Sequence, residues 1–199
     1  MEKQIELVLW IFGAYLVGGV PFGFLIGKMR GVDVRTVGSK NIGATNVYRT
    51  VGHKWGLLAF LCDFLKGFLP TFVAMRLLDG DWPVAVGLAC VVGHTLTPYM
   101  KFKGGKGVAT AFGMLMALIP ALVGAAFALF VVTVWLSHYI SLGSCLAAAF
   151  LGVMIWIPTP LAQARLPLQI VMTFLAVFVI WKHRSNIARL LAGTENKIY

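Results

Sequence analysis

Charge is missing from a long part of this chain. From Gly107 to Ala164 there is no Asp, Glu, Lys or Arg, a run of 58 residues. Soluble domains carry about 25% charged residues; this chain of 199 carries 12%, and 59% of it is hydrophobic. That balance excludes an ordinary soluble fold. Hydrocarbon needs ~20 apolar residues per helical crossing, so the chain reads as a polytopic membrane protein. Cysteine is scarce as well. Cys62, Cys90 and Cys145 all lie in apolar runs, without zinc-ligand spacing or a disulfide framework, and read as small packing residues. Acids are few, seven against 17 basic residues. In a membrane chain the net charge of +10 points to positive-inside bias and an anionic substrate or headgroup, not to nucleic acid. The start has Glu2, Lys3 and Glu6 where a signal peptide has a basic region, and no small-residue cleavage site follows. The first apolar run is therefore expected to be a retained span.

What is present is organised by side. Apolar runs lie at Leu7–Ile26, Trp55–Leu78, Trp82–Tyr99, across the charge-free stretch, and at Leu166–Trp181. Thirteen of the basic residues fall into three islands: Lys28–Lys54, Lys101–Lys106 and Lys182–Lys197. The positive-inside rule places all three in the cytoplasm. Parity then requires an odd number of crossings in the charge-free stretch, which has room for three. Breaks are signalled at Pro120 and around Ser137–Gly143. The expected architecture is all-α, a single membrane-embedded domain over residues 1–199 with seven transmembrane helices. The N-terminus is outside and the C-terminus cytoplasmic. Val108–Ile119 is the short member, reaching only ~18 Å. Trp10, Trp55, Trp82 and Trp181 sit near span ends, as interfacial anchors would.

The islands carry the chemistry. Lys103-Gly104-Gly105-Lys106-Gly107 opens directly into an apolar helix. Glycines let backbone N–H groups approach a ligand, and a helix N-terminus attracts anions, so this is a phosphate cradle by its chemistry, the alternative being a flexible basic turn at the membrane surface. Gly107 stands where a Walker A loop has Ser or Thr, which excludes that motif. The first island holds Ser39, Asn41, Thr45, Asn46 and Arg49 around two glycines. A helix from Thr45 onward puts Thr45 and Arg49 on one face, and Arg suits bidentate phosphate recognition. Ser39 could be a phosphate ligand, a helix cap or a nucleophile. The tail continues the last span, with His183, Asn186 and Leu190 on one helix face. Asp63 and Lys66, three apart within the second span, are read as a structural ion pair. His53, His94 and His138 are single histidines at helix ends or in packing, so no metal site is expected.

Gly38–Arg49, Gly93–Thr110 and His183–Glu195, in that order, resemble the three sequence blocks of the bacterial acyl-phosphate:glycerol-3-phosphate acyltransferases, the PlsY family. The resemblance covers essentially the whole chain. It implies a seven-helix enzyme of the bacterial inner membrane that moves an acyl group from acyl phosphate to the 1-position of glycerol 3-phosphate, giving lysophosphatidic acid and phosphate. It further implies that Ser39 and Arg49 are needed for activity and that the glycine block with Lys106 binds glycerol 3-phosphate. His183 and Asn186 are implied to line the site, and Glu195 to be structural. No cofactor and no obligate protein partner are expected beyond the two substrates and membrane lipid.

Residue chemistry agrees with that assignment. An acyl phosphate already has a good leaving group, so orientation of two anions and oxyanion stabilisation suffice. The islands contain only Asp33 and Glu195 as acids, and no His is followed five residues later by Asp. The base is then either His183 or a substrate phosphate, whose second pKa is about 6; the substrate is favoured, with no covalent acyl-enzyme. Two other classes compete. A phosphate or organophosphate transporter would place its ionisable groups near mid-bilayer. A lipid-binding scaffold would leave the Ser39–Arg49 cluster without a purpose.

Overall fold

Proline and the ends of the apolar runs decide where this chain bends. The computed structural model describes residues 1–162 and 164–198, so Gln163, inside the charge-free run, lies outside the described residues. Among them there are helices and no strand. The described residues group into two compact units, Met1–Leu118 and Ile119–Tyr199.

The first unit contains α1 (Glu2–Gly19), α2 (Phe22–Met29), α3 (Ala44–Thr50), α4 (His53–Leu77), α5 (Trp82–Thr95), a 3-10 turn (Pro98–Met100) and α6 (Val108–Leu118). The expected single run Leu7–Ile26 is two helices. Pro21 has no N–H and forces the preceding residue out of the helical region, so helix resumes only at Phe22. The carbonyls freed at this break have no water inside a bilayer. Gly19 O accepts from the Thr97 hydroxyl at 2.6 Å, and Val20 O accepts from Lys66 Nζ at 2.8 Å. Similarly, α5 stops short of Tyr99, and the Leu96 carbonyl accepts from the Tyr15 hydroxyl at 2.7 Å.

Small residues set the helix crossings, as in many membrane interfaces. On α4 and α6, a Cβ at Gly67 would meet the Thr110 carbonyl and one at Gly113 would meet the Phe64 carbonyl. Backbone thus lies against backbone at Thr110 and Gly113 of the short α6. Met114, Leu115 and Thr110 of α6 are buried.

The second unit contains α7 (Pro120–Ser137), α8 (Ile140–Met154), α9 (Leu166–Lys182) and α10 (Arg184–Leu191). The breaks fall where Pro120 and the Ser137–Gly143 segment signal them. The tail, however, does not continue the last span: α9 and α10 meet at 54°. The break falls at His183. Its ψ of 5° ends α9, and the Val179 carbonyl accepts from both its backbone N–H at 3.1 Å and its ring Nδ1 at 2.8 Å.

Four stretches are long and apolar enough to cross a bilayer: Glu2–Met29, His53–Leu77, Trp82–Met100 and Pro120–Ser137. The bent pair α9–α10 makes a fifth when it is counted as one span, and α6 and α8 are shorter apolar helices. Large apolar side chains on the outer faces stay exposed, among them Leu61, Leu65 and Leu69 of α4 and Val131, Trp135 and Leu136 of α7. Hydrocarbon is the solvent that suits them.

Candidate active site

The first island is a folded loop, not a loose one. Val34, Ile42 and Val47 are buried together with Ile26 and Ala59 beneath it, and Phe24, Val32 and Trp55 pack around them. Two of its cations lie over aromatic rings: Arg30 over Trp55 at 4.8 Å and Arg35 over Phe24 at 4.5 Å. Arg35 also grips Asp33 through Nε and Nη2, the latter at 2.7 Å. The hydrogen bond from its side chain lowers the Asp33 carboxyl to about 2.

Asn46 organises the catalytic candidates. Its side chain is buried on α3, and its amide binds four backbone groups of the loop. Oδ1 accepts from the Ser39 N–H at 2.9 Å, and Nδ2 faces the carbonyls of Val34, Asn41 and Val37 at 2.8, 2.9 and 3.2 Å. The sequence places Asn46 among the phosphate ligands; the structure finds this amide occupied by the loop itself. Gly38 takes φ +57°, and a Cβ there would collide with Asn46 Oδ1. Asn46→Asp should therefore set a carboxylate against three carbonyls. The expected cost is about 1–3 kcal/mol of stability, read as a lower unfolding midpoint and faster proteolysis of residues 34–41.

Ser39 is exposed, and its hydroxyl caps no helix, because Gly43 is the residue that precedes α3. The capping alternative is thereby removed. Lys40 adopts φ +57° and is exposed. Asn41 Oδ1 accepts from the Gly43 N–H at 2.8 Å, a turn that leads into α3. The seven residues of α3 are helical, so Thr45 and Arg49 do share a face.

The glycine loop is built differently from expectation. Gly104 N–H donates to the Thr95 carbonyl at 3.2 Å and Gly105 N–H to the His94 carbonyl at 3.1 Å. These two donors hold the loop against the end of α5 and do not point at a ligand. The glycines are needed because a Cβ on Gly104 would strike the His94 carbonyl and one on Gly105 would strike the His94 ring. Lys103 is exposed; Lys106 and Gly107 lead into the first turn of α6, where unpaired helix N–H groups favour an anion.

Beneath this loop lies a buried polar group. Lys66 Nζ is 2.6 Å from Asp63 Oδ1, with side chains 3% and 2% exposed. His94 Nδ1 stands 3.6 Å from the same oxygen. The i,i+3 spacing makes the pair legible in the sequence; His94, which the sequence marks as a helix-end or packing residue, lies at the end of α5 and faces this pair.

In the second unit, Glu195 is the hub. Its Oε1 accepts from Asn186 Nδ2 at 2.6 Å and from the Ser141 hydroxyl at 2.9 Å, and its Oε2 accepts from Arg189 Nε at 2.7 Å. Burial alone would raise this carboxyl, but the three hydrogen bonds outweigh it and hold the group below its ordinary 4.5. A lowered carboxyl stabilises fully above the ordinary value and loses that contribution as pH falls through the folded value. The wild type should thus lose thermal stability below pH 4.5. Glu195→Gln should start less stable and show a flatter profile between pH 7 and 3. Ser141 was missed from sequence; a serine at the start of α8 inside an uncharged stretch was the available signal.

The structure thus brings Ser39, Asn41 and Asn46 together in the first unit and Ser141, Asn186, Arg189 and Glu195 together in the second. The carbonyl of Val179 can only accept, so the His183 ring donates to it through Nδ1. No cluster of three or more His, Cys, Asp or Glu fit to hold a metal occurs among the described residues.

Comparison with known proteins is consistent along the chain. The sequence profile of the family described as glycerol-3-phosphate acyltransferase matches residues 8–193. The glycerol-3-phosphate acyltransferase of Geobacter sulfurreducens is 50% identical over 194 residues, 96% of this chain and 97% of that protein. The enzyme of the same name from Trichlorobacter lovleyi is 49% identical over 191 residues, 96% of each. The crystal structure of PlsY (YgiH), an integral membrane glycerol 3-phosphate acyltransferase in its glycerol 3-phosphate form, superposes with a TM-score of 0.90. It is 37% identical, with 96% of this chain and 95% of that one covered. Its lysophosphatidic acid form gives 0.87 at 36% identity.

Proposed function

This chain belongs to the glycerol-3-phosphate acyltransferase family, and on that footing we propose that it transfers an acyl group from acyl phosphate to the 1-hydroxyl of glycerol 3-phosphate. The products are lysophosphatidic acid and inorganic phosphate, the first acylation of phospholipid synthesis. The observation that carries this reading is the near-complete match to an enzyme crystallised with glycerol 3-phosphate and with lysophosphatidic acid. We assign it to the bacterial inner membrane as one acyltransferase domain. Its proposed seven crossings are α1 with α2, α4, α5, α6, α7, α8 and α9, and the N-terminus is outside. Cysteines placed singly at positions 40, 103 and 186 should all label from the cytoplasmic side.

The chemistry follows from the residues. Ser39, Thr45 and Arg49 hold one phosphate on the loop that Asn46 shapes. Lys106 and the first turn of α6 hold the phosphate of glycerol 3-phosphate, with Lys103 adding charge. The glycerol oxygen attacks the acyl carbonyl, and the cations stabilise the oxyanion. The bond between the acyl carbon and the bridging oxygen then breaks, and phosphate leaves with that oxygen. The hydroxyl proton passes to a substrate phosphate oxygen. No acyl-enzyme forms, so radiolabelled acyl chain should not be trapped on Ser39 or on a cysteine.

The test uses purified protein in detergent. Phosphate should appear only when acyl phosphate and glycerol 3-phosphate are both supplied. Movement of an unchanged organophosphate across liposomes, without phosphate release, would mean a transporter and contradict the reading.

A further inference from the structure

His94 has no assigned part in the transfer, yet it touches the loop that does. It is the penultimate residue of α5 and buried. On one edge, Nδ1 faces Asp63 Oδ1 at 3.6 Å, and that oxygen also faces Lys66 Nζ. Asp63 Oδ1 is held by Lys66 Nζ at 2.6 Å, whereas the buried His94 Nδ1 makes no hydrogen bond of ordinary geometry and has this carboxylate facing it. On the other edge, the ring lies against Gly105, whose Cβ position it occupies, and the His94 carbonyl accepts the Gly105 N–H.

We propose that His94 is a positioning residue for the glycine loop. The Asp63–Lys66 pair on α4 sets the imidazole, and the imidazole with its carbonyl sets Gly104–Gly105 and hence the approach of Lys106 and α6. The same helix α4 meets the start of α6 directly, at Gly67 and Thr110. One rigid element thus steadies both ends of the segment 105–110. The inference rests on reading this loop as the glycerol 3-phosphate site.

Initial rates of the full chain in detergent test it, for His94→Ala, His94→Asn, Gly105→Ala and the His94→Ala/Gly105→Ala pair. For His94→Ala the KM for glycerol 3-phosphate should rise on the order of 10-fold or more. The KM for acyl phosphate should stay within about twofold, a split that a general loss of folding does not produce. Gly105→Ala should be impaired alone, and its penalty should shrink when the His94 ring is also removed, because the methyl then has room. His94→Asn keeps a donor toward Asp63 but loses the ring edge, and should show the same KM split should the alanine variant fold poorly. A wild-type KM for glycerol 3-phosphate in either His94 variant, or strictly additive penalties in the pair, overturns the proposal. So does a loss of folded protein with no kinetic split, which would make His94 structural only. If the wild type itself releases no phosphate from the two substrates, it is the functional reading that fails.

Discussion

Arg49→Ala should all but abolish turnover, with kcat/KM reduced by about 10²–10³-fold or more. The side chain stands on α3, one turn beyond Thr45, and α3 is seated on the buried plug of Val34, Ile42 and Val47. Removing the guanidinium leaves that plug and the Asn46 hydrogen bonds in place, so the protein should fold and still fail to react. The loss should appear mainly in kcat, because phosphate orientation matters most as charge shifts onto the leaving group. Arg49→Lys should not rescue it fully, since an ammonium cannot reproduce a planar two-pronged contact. Cys62→Ala serves as the control and should be nearly silent. Steady-state rates of phosphate release check all three variants, and normal kinetics in Arg49→Ala would remove this residue from the site.

Lys66→Ala should destabilise the first unit by roughly 3–5 kcal/mol. Lys66 does two things inside the bilayer: it neutralises Asp63 at 2.6 Å and it binds the Val20 carbonyl at 2.8 Å, where Pro21 breaks the helix. Truncation leaves a buried carboxylate without its cation and a carbonyl without a donor. Replacing both members of a buried pair by apolar side chains is far better tolerated than removing one. Asp63→Leu/Lys66→Met should accordingly recover part of the loss, the Val20 carbonyl remaining unserved. Thermal unfolding midpoints in detergent measure both variants. A Lys66→Ala protein as stable as wild type would show that the pair contributes nothing to the fold.

The sequence makes the along-chain features visible and hides those that depend on tertiary neighbours. Pro120 and the Ser137–Gly143 segment mark real helix ends, because loss of an N–H and local turn chemistry act on nearby backbone. Asp63 and Lys66 are legible as a pair because three residues of helix bring their side chains together. The break at Pro21 is the same kind of signal, but it lies inside an apolar run whose hydropathy conceals it. The 54° bend at His183 has neither Pro nor Gly to announce it. Asn46 reads as a ligand in the sequence because loop asparagines bind phosphates and fold loops with the same amide. Gly104 and Gly105 read as anion donors in the sequence, whereas their N–H groups serve α5. Ser141 and His94 are single polar residues in apolar sequence; their partners, 54 and 31 positions away, are unreadable without the fold.

The most direct measurement is product analysis by mass spectrometry for the purified protein, with the acyl donor varied. The account predicts 1-acyl lysophosphatidic acid and inorganic phosphate in equal amounts from acyl phosphate and glycerol 3-phosphate, and no product when acyl-CoA replaces acyl phosphate. Lysophosphatidic acid formed from acyl-CoA, or phosphate released without an acylated product, would contradict it.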